Sequence, residues 1–162
     1  MESEHDWPSA ARLYSQILKL VPQSNLSELS ILQERCGYAL FKAAMQAQSE
    51  VLFEARIRQG IENYAIAAET RRSSNRLGQA LAVRNLAMIR YLDFWLTRGV
   101  TKKLELLEDC WRLTKEALNS LEELDEKEEY VATYNNLSWV PMFAASLDWK
   151  FTHQTDEDHR SH

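Results

Sequence analysis

Glycine and proline are scarce in this chain of 162 residues, at 4 and 3. So few turn formers exclude a β-protein of many hairpins, because tight strand reversals depend on such residues. Cysteine is scarcer still. Cys36 and Cys110 both fall inside stretches of helix formers, which excludes a disulfide framework and reads as two small buried hydrophobes. No apolar run reaches the roughly 18 residues of a membrane span. The opening MESEHDWPSA is acidic and polar, unlike a secretory signal. The expected location is therefore a reducing cytoplasm. His5, His153, His159 and His162 all lie outside the periodic body of the chain, so no Ser-His-Asp or Cys-His set is visible. There is no Walker loop and no GxGxxG. Asp156 and Asp158 sit among the last three histidines, but a polar tail without fixed geometry is no metal site. Positive charge is also lacking: the net charge of −5 argues against general nucleic-acid binding, which needs phosphate-neutralising groups. No catalytic residue, metal or cofactor is expected.

What is present is helix. Ala, Leu, Glu, Arg and Gln dominate, and these are strong helix formers. The stretch from Leu77 to Leu96 is apolar nearly all round, which marks a central helix with neighbours on both flanks. Before it, helices are expected over 7–21, with Asp6 as cap and Pro22 as stop, over 27–47, with Asn25 and Glu28 at capping-box spacing, and over 51–71. The run Arg71 to Asn75 makes a turn. Gly99 is expected to close the central helix as a left-handed cap. A fifth helix follows over 101–124. The sixth should begin at a capping box of Asp125 and Glu128 and run toward Trp149 with a kink at Pro141. The expected fold is all-α: about six antiparallel helices stacked as hairpins, an α-solenoid, in one domain over 1–151. A polar tail follows over 152–162.

The helices repeat one another. Ala10-x3-Tyr14-x2-Ile17 recurs 50 residues on as Gly60-x3-Tyr64-x2-Ala67, and 50 further as Cys110-x3-Thr114-x2-Ala117. Cys36-Gly37 aligns in the same way with Leu86-Ala87 and, after 51 residues, with Leu137-Ser138. The lead positions Ala10, Gly60, Cys110, Gly37, Ala87 and Ser138 are all small, which lets helix axes approach closely. A fixed period with small residues in phase is the signature of stacked hairpins.

On these residues the chain resembles the tetratricopeptide repeat family. Ala10-x3-Tyr14-x7-Pro22 resembles the second helix of that repeat. Gly37 with Leu40, and Tyr134-Asn135-Asn136-Leu137-Ser138, resemble the first. The family repeats about every 34 residues, whereas this chain repeats every 50, so its helices must be longer. The resemblance implies a non-enzymatic scaffold that binds a peptide or partner domain on a concave face of first-type helices. A regulatory domain taking a small ligand or nucleic acid is the alternative.

If the hairpins stack as in that family, the residues flanking each small lead position face the groove. These are Glu34, Tyr38 and Phe41 in the second helix, Arg84, Asn85, Met88 and Tyr91 in the central one, and Asn135, Asn136, Trp139 and Met142 in the last. Asn can pair with a peptide backbone and Arg with a carboxylate. The same aromatic residues at helical spacing also read as ordinary core. The arginines from Arg56 to Arg90, Arg71 and Arg84 among them, read mainly as surface charge balance. The acidic run from Glu122 to Glu129 reads as a solvated helix start, where carboxylates favour the dipole. The pattern begins and ends half a hairpin out of phase. Met142, Phe143, Leu147 and Trp149 therefore either pack on their own domain or meet another chain, a homodimer being expected.

Overall fold

Helix starts are written into single polar residues. Asp6 accepts a hydrogen bond from the Ser9 amide at 3.0 Å and opens α1 (Trp7–Leu20). Asn25 accepts from the Glu28 amide at 3.3 Å, while its own amide donates to the Glu28 carboxylate, and α2 (Leu26–Met45) follows. Ser49 caps α3 (Glu50–Arg72) through the Leu52 amide, and Asn75 caps α4 (Arg76–Leu96) through the Gly78 amide. Each cap satisfies a backbone donor that the first helical turn leaves open. Then come α5 (Val100–Glu123) and α6 (Lys127–Leu137). The computed structural model describes residues 5–147, and these six α-helices with no strand are the fold among the described residues. None of the described helices is long and apolar enough to cross a membrane.

Three local expectations are corrected. Gly99 does take a positive φ of 94°, but it stands just before α5 as its N-cap, α4 having ended at the extended Thr97. Asp125 caps no helix start. It sits at φ 57° just past the end of α5, where its amide bonds the Glu122 carbonyl and the next amide, of Glu126, bonds Leu121. That is a left-handed helix stop, a conformation Asp tolerates better than most residues. The last helix is not kinked at Pro141 but broken at residues 138–139, and helix resumes over 140–147. Pro141 has no N–H to give to the Leu137 carbonyl and suits the first turn of a new helix, so the break falls just before it.

Each helix packs on its neighbour in sequence. Between α2 and α3 the order reverses. The Arg56 guanidinium, near the start of α3, donates to the Ala43 carbonyl near the end of α2, while Arg71 at the end of α3 reaches back to Glu34. Likewise Arg90 bonds Asp109 across α4 and α5. Two of the small lead positions, Gly37 and Gly60, lie at the seam between α2 and α3. A Cβ on Gly37 would stand 2.9 Å from the Tyr64 ring and 3.3 Å from the Gly60 carbonyl, so glycine there is what lets α2 and α3 touch. Alternate helices also meet: Phe41 of α2 lies edge-on to Tyr91 of α4, with ring centroids 5.3 Å apart. The main core runs through α4, where Ala87, Leu92 and Phe94 are buried with Ile57 and Tyr64 from α3 and Leu107 and Cys110 from α5. Each large apolar side chain so buried stabilises the fold by roughly 1.5–3 kcal/mol.

Candidate functional site

Because α2, α4 and α6 alternate with the other helices, they lie side by side and form one face. A groove of about 800 Å³ runs along it. Its walls carry Glu34 and Tyr38 from α2, Arg84, Met88 and Tyr91 from α4, and Asn135 and Asn136 from α6, with Trp139 just beyond. All eight are among the residues that sequence spacing puts on the concave face. Phe41, Asn85 and Met142 do not line the groove as expected. Phe41 is buried against Tyr91, and Asn85 is wholly buried in a polar cluster beneath the floor.

That cluster sets the electrostatics. Glu34 sits between two guanidiniums. One carboxylate oxygen accepts from Arg71 Nη1 at 2.7 Å and from the Asn85 amide, and the other accepts from Arg84 Nη2 at 2.7 Å. Arg71 also donates to Asn85 Oδ1 at 2.8 Å. Arg84 turns its second terminal nitrogen to Glu129 of α6 at 2.5 Å and to Thr133 at 3.3 Å. One arginine of α4 thus ties both flanks of the groove. Arg71 and Arg84 are only 5% and 9% exposed, so they are not the surface charges expected from sequence. Burial raises the Glu34 carboxyl, but the charges of Arg84 and Arg71 and its hydrogen bonds outweigh that and hold it below its ordinary value. Beneath it, burial drives the Tyr64 hydroxyl well above its ordinary range, with the Glu34 charge adding to it, so Tyr64 stays neutral.

Several lining residues were not expected. Trp7 and Tyr14 come from α1, Arg35 and Lys42 from α2, Arg71 from α3 and Glu129 from α6. Arg35 and Lys42 could have been found, since they share one helix face with Tyr38 at spacings of three and four. Trp7 stacks edge-on to Tyr38 at 5.6 Å and Lys42 lies over the same ring at 5.7 Å. The acidic run is not one helix start: Glu122 and Glu123 end α5, only Glu128 and Glu129 lie in the first turn of α6, and the Arg84 pair draws Glu129 into the site.

The oligomer residues separate. Phe143 is partly buried on its own chain, its ring 5.4 Å from Phe94 and 5.7 Å from Trp139, and Leu147 rests on the same core. Met142 is 78% exposed. Trp149 and the 152–162 tail lie outside the described residues.

For chemistry the groove offers a bound ion-pair cluster and aromatic walls. Neither cysteine is an available nucleophile. Burial pushes the Cys110 thiol up to about 12 and raises Cys36 as well. Among the described residues no three His, Cys, Asp or Glu side chains gather to hold a metal ion. Compared with known proteins, the chain matches no family model, no curated protein and no solved structure.

Proposed function

We propose that the chain is a non-enzymatic interaction module that binds a peptide, or an exposed segment of a partner protein, in the groove between α2 and α6. One observation carries this reading: eight side chains expected on a ligand-facing surface, from three alternate helices and the break after the last, line a single groove. Its polar floor is preorganised, because Arg84 is held by Glu34 and Glu129 before any ligand arrives. A ligand then binds without the cost of ordering those groups. The resemblance to tetratricopeptide repeats is part of the proposal. It is supported by the small residues in 50-residue phase, of which Gly37 and Gly60 stand at a close helix contact. A reducing compartment is supported by two buried, unpaired thiols.

A photo-crosslinking amino acid placed at Asn135 or Asn136, both exposed on the groove wall, tests the proposal in cells. The control position is Glu108, exposed on α5. Peptide-containing adducts from the groove positions and not from Glu108 support the reading, and equal labelling at all three overturns it. A second reading, a regulatory domain for a small organic ligand, is favoured by the groove's volume, since such pockets run from about 300 to 1,000 Å³. It predicts that native mass spectrometry of the purified protein finds a bound small molecule where the crosslinker finds no peptide.

A further inference from the structure

We infer that the groove selects an extended peptide with side-chain carboxylates next to an aromatic or large aliphatic side chain. This rests on the peptide-binding reading above and adds the chemistry of the ligand.

The charges lining the groove are unbalanced. Arg35, Lys42, Arg71 and Arg84 face Glu34 and Glu129, an excess of two positive charges on a chain whose net charge is −5. The balance is also unevenly engaged. Both carboxylates are taken up by Arg71 and Arg84. A basic peptide would therefore meet no open acid there. Arg35 and Lys42 make no ion pair among the described residues. They flank Tyr38 on one stripe of α2, seven positions apart, which is about 10 Å along a helix axis. An extended chain advances about 3.3 Å per residue. The two cations therefore match carboxylates about three positions apart on the ligand. Between the flanks, the partly exposed rings of Tyr38 and Trp139, over the edges of buried Met88 and Tyr91, offer an apolar surface for a large side chain, where edge contacts stabilise a ring. Across the groove, Asn135 and Asn136 can accept and donate to a peptide backbone. Two open cations are too few for a nucleic acid, whose affinity comes from neutralising a series of phosphates.

The test uses peptides carrying an uncharged boron-dipyrromethene fluorophore, acetylated and amidated so that only side chains carry charge. One contains Trp with two Glu, a second the two Glu without Trp, a third Trp with two Lys, and a fourth Trp with two Gln. Oligothymidine of similar length is the fifth probe. Anisotropy with the full chain should rank the Trp–Glu peptide roughly tenfold or more above the others, weakening as salt rises. Reversing both cations, Arg35→Glu with Lys42→Glu, should remove that preference. The milder pair Arg35→Gln with Lys42→Gln should move it in the same direction, and circular dichroism reports that both variants fold. Equal binding of the Lys or Gln peptides, oligothymidine binding as tightly, or a preference unchanged in the variants overturns the inference while leaving a peptide groove standing. Binding of none of the peptides overturns the peptide-binding reading itself, and this inference with it.

Discussion

The two flanks of the groove are built differently. On the α2 side, Glu34 has two guanidinium partners and its side chain is 22% exposed. On the α6 side, Glu129 has one of those partners and is 39% exposed. The α2 side is also pressed against α3 at Gly37 and Gly60, whereas α6 is a short helix that ends in a break. The groove therefore has one wall fixed by buried charge and close backbone contact, and one held mainly by a single arginine. A wall of the second kind can adjust to a ligand at little energetic cost, because a partly exposed ion pair is screened and weak.

Removing the acid of the fixed wall should have the largest effect. Glu34→Ala leaves two buried guanidiniums without it and should cost about 3 kcal/mol or more in urea unfolding. The effect is pH-dependent. The Glu34 carboxyl is held below its ordinary value of 4.5 by Arg84 and Arg71, which outweigh the opposing effect of burial. Its contribution is therefore present above that value and lost as the pH falls through the lowered one. Stability of the parent chain should drop more steeply in acid than that of Glu34→Gln. A similar slope for both would break the claim that this wall rests on charge.

Next in size is the backbone contact. Gly37→Ala puts a methyl group 2.9 Å from the Tyr64 ring. The strain, about 1–3 kcal/mol, should exceed the gain of up to about 1 kcal/mol in helix propensity. Gly60→Ala meets nothing nearer than 3.3 Å and should cost less. If calorimetry reversed that order, Tyr64 would not be the group that Gly37 accommodates. On the lighter wall, Glu129→Gln should cost about 1 kcal/mol or less, yet loosen α6 in hydrogen exchange. Protection of α6 that stays unchanged would show the two walls to be alike. Smallest of all, Met142→Glu should leave stability within about 0.5 kcal/mol. If light scattering also showed a dimeric parent becoming monomeric, this end would be an interface between copies.

Much of this was legible in the sequence. Asp6 and Asn25 announce helix starts, and the small residues Gly37 and Gly60 mark the seam between α2 and α3. Spacing around the small lead positions placed eight groove residues, because helical periodicity alone decides which side chains share a face. The charge cluster was not legible. Glu34 meets Arg71 and Arg84 across 37 and 50 positions, a pairing that depends on how helices pack and leaves no local trace. Trp7 and Tyr14 were not legible either, because the spacing points to α2, α4 and α6, while these two reach the rim from α1. Asp125 was misread because a residue that favours helix starts also tolerates a left-handed stop, and only backbone geometry separates the two.

Glu34 of α2 and Arg84 of α4 stand 50 residues apart, pair with each other and carry opposite charges. The two helices are thus unlike in sign at the place where they meet. If α2 settled in the place of α4 during folding, or beside the α2 of another molecule, Glu34 would face a second acid in a desolvated seam. If α4 did so, arginine would face arginine. Chains made of similar hairpins are prone to such slips and exchanges. Here the alternation of Glu34, Arg84 and Glu129 on α2, α4 and α6 favours the native order of these helices over one that sets like charges together.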